Sequence, residues 1–427
     1  MTRWSSAIRT IRNKCLILYG AGFHERLLCR YVRKISQRRP VKVVFIASNV
    51  SMWRYQWVYE HMKTDNRFKV YIVLSPSIQF ARAQQESDLK QMRMYFSQQG
   101  IEYVDWKLEQ GEEAIDIRKE INPDILFYAQ QYDGVLTPKH EYRNFLDRLL
   151  CLVPYGIGPS FTYWFYNTPY HNLAWRLYYP SPLEMEDARL LAFNKARNAR
   201  MCGYSIYDDY RAPLSVDPWK PLCGERKRII WAPHFTLPTS VAHYHRANFL
   251  WMADVMVHLA RKYEDRFQFA FKPHPKLLTE LYKNRDWGKE KTDAYYKLWQ
   301  TMPNTQLETG AFAPLFKTSD ALIHDSNSFS VEYMFVNKPA LYITQDMVAL
   351  RDSVPKLGKH AFDAHYVAGN EDEVEKFLLE VVVGGKDPLE PVRQNFYDQF
   401  LKPHHNEGVG EYIYHDICNS LFSENHN

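Results

Sequence analysis

Residues 267–277 read FQFAFKPHPKL. An apolar run of strand character leads straight into Lys272, Pro273, His274 and Pro275. Two ring-locked prolines stiffen the exit of the strand and fix where the imidazole points. A cation and an imidazole at a strand mouth matter because open α/β sheets bind ligands outside the carboxyl ends of their strands. The question is whether the neighbouring segments build such a sheet.

They do so by pattern. KRIIWAPHF (227–235) is a strand that breaks at Pro233-His234, and a helix is expected over about 244–263. SDALIHD (319–325) is a strand, FSVEYMFVN (329–337) a helix and KPALYIT (338–344) another strand. The first half repeats the alternation. VKVVFIASN (41–49), FKVYIVLSP (68–76), PDILFYAQ (123–130) and LLCLVPYG (149–156) are strands, with IEYVDW (101–106) a further candidate. Near-continuous apolar strands alternating with helices imply parallel sheets covered on both faces. The fold class is α/β. The boundaries expected are a basic amphipathic segment at 1–40, one Rossmann-like domain at 41–195, a second at 205–385, and a helical segment at 390–424.

Three strand mouths of the second half carry polar groups: His234, then Lys272 with His274, then His324 to Ser328. Lys272, or a protonated His274, can neutralise a phosphate. Ser326, Asn327 and Ser328 stand where a helix begins. They can cap it, and its free N–H groups also attract phosphate.

Composition bounds the rest. The chain has 427 residues, 46% of them hydrophobic and 24% charged, an ordinary globular balance. Its six cysteines (Cys15, Cys29, Cys151, Cys202, Cys223, Cys418) lack the spacing of a zinc site or a disulfide framework, which suits a reducing cytoplasm. No apolar run reaches the length of a membrane span, and no signal peptide is read. Net charge is +5, yet residues 1–40 hold ten Lys/Arg against Glu25 alone. Phe23, Leu27, Leu28, Tyr31, Val32 and Ile35 fall at helical spacing among those cations, which suits an anionic membrane surface or a docked helix with a solvated face. LILYGAG (16–22) opens like a dinucleotide fingerprint, but Glu25 stands where the third glycine belongs. CLILYG could otherwise add a strand to the first sheet.

WAPHF, KPHP and SDALIHDSNSFSVEYMFVNKPALYI, in this order and spacing, resemble the CDP-glycerol glycerophosphotransferases, the teichoic-acid polymerase and primase family. The match covers about residues 225–345. It implies a GT-B fold: two Rossmann-like domains facing across a cleft, with the C-terminal helix crossing back. It also implies a CDP-alcohol donor and no metal or other cofactor. His274 matches the histidine that contacts the donor diphosphate. Asp325, Ser326, Asn327 and Ser328 match the family's Asp-Tyr-Ser-Ser, with Ser326 in place of Tyr, and Glu332 is placed with the donor-binding residues. The first domain departs from the pattern. Tyr155 in Pro154-Tyr155-Gly156 stands where the family has the histidine thought to act as general base. Tyrosine, with a pKa near about 10, is a poor base. His171 is the first substitute and His234 the second.

The resemblance implies a transferase that moves glycerol phosphate to a hydroxyl of a glycan or lipid-linked acceptor. Its location would be the inner face of the cell membrane, reached through residues 1–40, with no nucleic-acid partner. The alternative is a GT-B glycosyltransferase using a nucleotide sugar in capsule or lipopolysaccharide synthesis.

Overall fold

The computed structural model describes residues 3–106, 114–158, 163–214, 216–237 and 247–423. Two compact units divide the chain. One holds the described residues through Ile157, from 163 to Asp208, and from Pro403 onward. The other holds those from Asp209 to Lys402.

The first unit is built on a six-stranded parallel sheet: β1 (Val41–Ala47), β2 (Phe68–Leu74), β3 (Ile125–Tyr128), β4 (Leu149–Leu152), β5 (Arg176–Tyr179) and β6 (Ala199–Met201), in the order β2-β1-β3-β4-β5-β6. The candidate strand IEYVDW contributes only a bridge from Val104 to Val73 at the β2 edge. Strands β5 and β6 went unread in the sequence. They are four and three residues long, too short for a periodic signal.

The N-terminal residues are helical. Helix α1 (Arg3–Tyr19) continues through a wide turn at Gly20–His24 into α2 (Glu25–Ser36). This overturns the strand that CLILYG could have added, and agrees with setting the dinucleotide fingerprint aside, because neither a strand nor a strand-to-helix turn exists there. A Cβ at Gly20 would lie 2.6 Å from the Asn172 carbonyl oxygen, so this glycine serves close packing and not a phosphate loop. The α2 helix buries Leu28, Val32 and Ile35 in the core of the first unit, each worth about 1.5–3 kcal/mol. Asp124, just before the amino end of β3, holds the end of that helix. It accepts from the Tyr31 hydroxyl at 2.8 Å, pairs with Arg38, and accepts the Lys42 N–H at 3.0 Å.

The last helix, Val409–Phe422, belongs to this first unit although the second unit precedes it in sequence. Asp208 caps it from afar, accepting the N–H groups of Val409 at 2.9 Å and Gly410 at 2.7 Å. Asp416 on the same helix pairs with Arg176 of β5 and Arg200 of β6.

The second unit repeats the design with β7 (Lys227–Ala232), β8 (Phe267–Phe271), β9 (Thr305–Leu307), β10 (Ala321–His324), β11 (Ala340–Ile343) and β12 (Tyr366–Ala368). Their order is β12-β11-β10-β7-β8-β9, all parallel. The chain winds outward from β7 through β8 to β9, then returns to β10 on the other side. The switch point of this doubly wound sheet therefore lies between β7 and β10. Trp231 clusters with Phe249 and Phe271 in the core of this unit, at 5.7 and 4.9 Å between ring centroids.

Candidate functional site

The three strand mouths singled out in the sequence are neighbours. Strand β7 lies between β10 and β8 in the second sheet, with Ala232 opposite His324 and Trp231 opposite Phe271. Residues 233–236, 272–276 and 325–328 thus leave the same edge side by side, at the switch point. The His234 and His274 rings lie 5.0 Å apart, and Phe235 packs 4.4 Å from His274.

His274 is held by its own loop. Its Nδ1 accepts the Lys276 N–H at 3.1 Å, and its backbone N–H donates to the Pro233 carbonyl at 3.0 Å. An accepting Nδ1 places the proton of the neutral ring on Nε2. Burial, with His234 and Lys276 as like charges nearby, holds its pKa well below the usual imidazole value. It is therefore a neutral hydrogen-bond donor, not the imidazolium the sequence suggested as an alternative to Lys272. The cation is Lys272. Burial pushes its pKa down to about 8 against the opposing pull of Glu308, so it remains mostly protonated at neutral pH. Its Nζ donates to the Gly310 carbonyl at 2.6 Å. This ties the loop after β9 into the site, a participant that the short run TQLETG did not reveal.

Asp325 differs from its expected role. Its carboxylate is 3% exposed and accepts two backbone N–H groups, from His234 and from Asn248, each at 2.6 Å. It clamps the loop after β7 to the start of the helix Phe249–Lys262 and does not face a ligand. Burial pushes its pKa up to about 6, with those same hydrogen bonds opposing. Glu332 is likewise buried, and its carbonyl accepts the Tyr210 hydroxyl. For Asp325, then, both carboxylate oxygens are already engaged by backbone N–H groups.

The serine run stands at the β10 mouth, between that strand and the next short helix. Ser328 precedes the short helix Phe329–Glu332 with no side-chain capping bond. The Ser326 and Ser328 hydroxyls face each other at 3.4 Å. Asn327 has its carbonyl occupied by Ser330 and its Oδ1 buried without a partner. Capping therefore does not account for these side chains. Beneath them His324 is sealed in a chain of neutral rings. His365 Nδ1 meets the Ala361 carbonyl at 2.8 Å and its Nε2 meets His324 Nε2 at 3.1 Å, while His324 Nδ1 lies 3.0 Å from the Ser326 carbonyl and 3.2 Å from its backbone nitrogen.

His234 sits at the switch point with Nδ1 within 3.0 Å of the Thr236 hydroxyl. His171 does not fit the place expected of it. Its ring is fully buried in the first unit against Phe165, Tyr166 and Tyr179. Its Nδ1 meets the Thr168 hydroxyl at 2.7 Å, its Nε2 has no partner, and desolvation pushes its pKa down to about 3. A ring sealed this way has no path to an acceptor hydroxyl. Tyr155 follows β4 as expected, its N–H bonded to the Ala129 carbonyl and its own carbonyl to the Tyr204 hydroxyl. Among the described residues no group of three or more His, Cys, Asp or Glu is placed to hold a metal ion.

No family model matches the chain, and no curated protein matches it in sequence. Solved structures match its fold. A variant of the wall teichoic acid polymerase TagF superposes with a TM-score of 0.56 at 11% identity, over 99% of this chain and 98% of that one. The UDP-GlcNAc 2-epimerase of Neisseria meningitidis bound to UDP-GlcNAc gives 0.52 at 13%, over 88% and 98%. The S. aureus MnaA–UDP structure gives 0.53 at 14%, over 89% and 97%. The chain thus has an α/β fold of the GT-B type, with two six-stranded parallel sheets. At these identities the likeness speaks for the fold alone.

Proposed function

We propose that the chain is a transferase taking a nucleotide-activated donor on its second unit. It moves a glycerol-phosphate or related phosphoalcohol unit from a CDP donor to a hydroxyl of a cell-surface glycan or lipid-linked acceptor. The observation that carries this reading is the set of donors at the β7–β8–β10 mouths: the Lys272 ammonium, the Nε2–H of His274 and the paired hydroxyls of Ser326 and Ser328. Such a set suits a diphosphate better than a carboxylate or a neutral sugar, because it offers one cation and several neutral donors to several anionic oxygens.

In this reaction the acceptor oxygen bonds to the β-phosphorus and the bridging P–O bond breaks. The acceptor loses its proton to a base, and CMP leaves with the electron pair. Lys272 and His274 stabilise the charge growing on the leaving phosphate. Asp325 acts at one remove, holding the His234 loop in place. His234 is the base candidate that remains beside these residues once His171 is set aside.

Residues 1–40 supply the contact with an anionic membrane surface. Phe23 and Leu27 are exposed among the cations of this segment. Among the described residues no helix is long and apolar enough to cross a membrane.

A second reading, a GT-B glycosyltransferase acting on a nucleotide sugar, is favoured by the UDP-bound neighbours of the same fold. There the same diphosphate grip serves an attack at a sugar carbon. A donor screen separates the two. CMP release from CDP-glycerol with an added acceptor supports the first. Consumption of UDP- or CMP-sugars alone supports the second, and failure to bind any nucleotide overturns both.

A further inference from the structure

The first unit contains a cavity of about 330 Å³ unrelated to the strand mouths. It opens at the amino ends of β5 and β6, the opposite end of that sheet from Tyr155, and α2 forms its other wall. Its charged lining comprises Arg33, Arg176, Arg197, Arg200 and Glu25. Asp416 stands behind Arg176 and Arg200, at 3.0 and 3.1 Å. Arg197 meets Glu25 at 3.4 Å. Arg33, across the cavity on α2, has no carboxylate partner among the described residues. Among the described residues, four guanidiniums face two carboxylates, an excess of positive charge in a concave space.

One further lining group points to a ligand. His24 is 2% exposed, and neither of its ring nitrogens makes a well-formed hydrogen bond. Burial holds its pKa below the usual imidazole value, with a loose hydrogen bond to the Leu173 backbone opposing. A buried imidazole left with at most that one loose contact forfeits hydrogen bonds it had in water. The wall around it is rigid. Asn198 donates to the carbonyls of His171 and Ala174, Asn194 donates to Asn198, and Asn172 accepts the Asn194 N–H. The close packing of Gly20 on Asn172 locks the α1–α2 turn, and with it His24, onto this wall. Leu28, Val32 and Trp175 add apolar surface beside the arginines.

We infer that this cavity binds the phosphoryl head of an organic phosphate, with Arg33 and Arg197 pairing its oxygens and His24 donating to it. The apolar wall takes the first carbons of the attached group. The ligand is either a free small phosphate ester or the headgroup of an anionic lipid presented to α2, since both carry the same chemistry. The site is separate from the donor site proposed above and does not depend on it.

Calorimetric titration of the full chain tests this in separate arms with inorganic phosphate, glycerol 3-phosphate and phosphatidylglycerol vesicles. Binding of glycerol 3-phosphate that weakens at least tenfold in the Arg33→Gln/Arg197→Gln double variant supports a free ester. The same loss seen only with vesicles supports a lipid headgroup. Both arginines are largely exposed, so the double variant keeps its fold. Proton NMR of the His24 ring gives a second readout, and its resonance should shift when the bound probe is added. Equal binding of every probe by the parent chain and the double variant overturns the inference, as does an unmoved His24 resonance at saturation.

Discussion

The Asp325 carboxylate accepts the backbone N–H of His234 at 2.6 Å. A residue at the mouth of β10 thus fixes the loop that leaves β7, across the switch point of the second sheet. The same carboxylate takes the Asn248 N–H at 2.6 Å, so its removal would strand two donors. Asp325→Ala should lower the stability of the second unit by about 3 kcal/mol, since hydrogen bonds to a charged acceptor are worth about 1.5–3 kcal/mol each. A urea midpoint unchanged from the parent chain would show that the clamp is dispensable.

His274 gives a prediction about charge against donation. With Nδ1 accepting from Lys276, the ring acts as a neutral donor. His274→Ala should reduce turnover of the cognate donor about 10²-fold, and His274→Gln, which keeps an N–H donor, should lose less. Because the pKa lies well below the usual value, deprotonation of this ring should not lower activity between pH 6 and 8. A loss of rate on raising pH through that window, absent in His274→Gln, would contradict the neutral-donor role.

Ser326 and Ser328 separate ligand contact from capping. Ser328 makes no capping bond, so Ser326→Ala/Ser328→Ala should leave the thermal midpoint nearly unmoved. Each lost hydrogen bond to a donor phosphate should raise its KM about fivefold, at about 1 kcal/mol per bond. A lowered midpoint with an unchanged KM would restore the purely structural reading.

Stability should fall steeply on acidification. Burial holds His140 and His365 down to about 4 and His171 to about 3, and places His324 well below its usual value. As pH drops from about 6.5 toward 4, the unfolded chain binds protons on these rings that the folded chain refuses. Each ring removes up to about 1.4 kcal/mol per pH unit across its window. Asp325 works in the opposite direction. Its folded pKa of about 6 exceeds the unfolded value, so its contribution improves as pH falls from 6 toward 4. His24 and His274 act with the four rings, and Asp88 and Glu141, also raised by burial, act with Asp325; the histidines outnumber the carboxyls. A denaturant midpoint that stays flat from pH 7 to 4.5 would refute this balance.

The membrane reading is best tested by point changes. Deleting residues 1–38 would also strip Leu28, Val32 and Ile35 from the core. Phe23 is 66% exposed and Leu27 48%, and Phe23→Ser/Leu27→Ser should weaken co-sedimentation with anionic vesicles while leaving the fold intact. Each nearby cation adds about 1 kcal/mol, screened by salt. Binding indifferent to the double substitution, to lipid charge and to salt would end the surface-anchor proposal.

Much of the fold was legible because its signals are local. The apolar runs 41–47, 68–74, 227–232 and 267–271 are five to seven residues long and each buries a continuous apolar stretch, and hydrophobic patterning reports that directly. The mouths of β7, β8 and β10 could be named because polar residues interrupt those runs abruptly. Short β5, β6 and β12 escaped, since they begin or end in polar residues or lie among helix-like segments, whereas the equally short β3, β4, β10 and β11 sit inside longer apolar runs. CLILYG has the composition of a strand, and it became helix because α1 and α2 pack on the Asn172 region of the first unit, a contact between residues about 150 apart in sequence.

What only the tertiary structure decided is the role of each polar group. Sequence nominated His274 as a donor contact and His171 as a substitute base, yet the His171 ring is sealed among aromatics while His274 keeps an N–H at a strand mouth. Asp325 resembled a ligand contact and proved to be a loop clamp, because both its oxygens are taken by backbone N–H groups from elsewhere in the chain. The arginine cavity beside His24 draws its walls from three separated segments, so no local pattern could announce it. Sequence determines which groups are available and which segments pair. Burial and hydrogen-bond direction, set by residues far apart in the chain, determine which of those groups can meet a ligand.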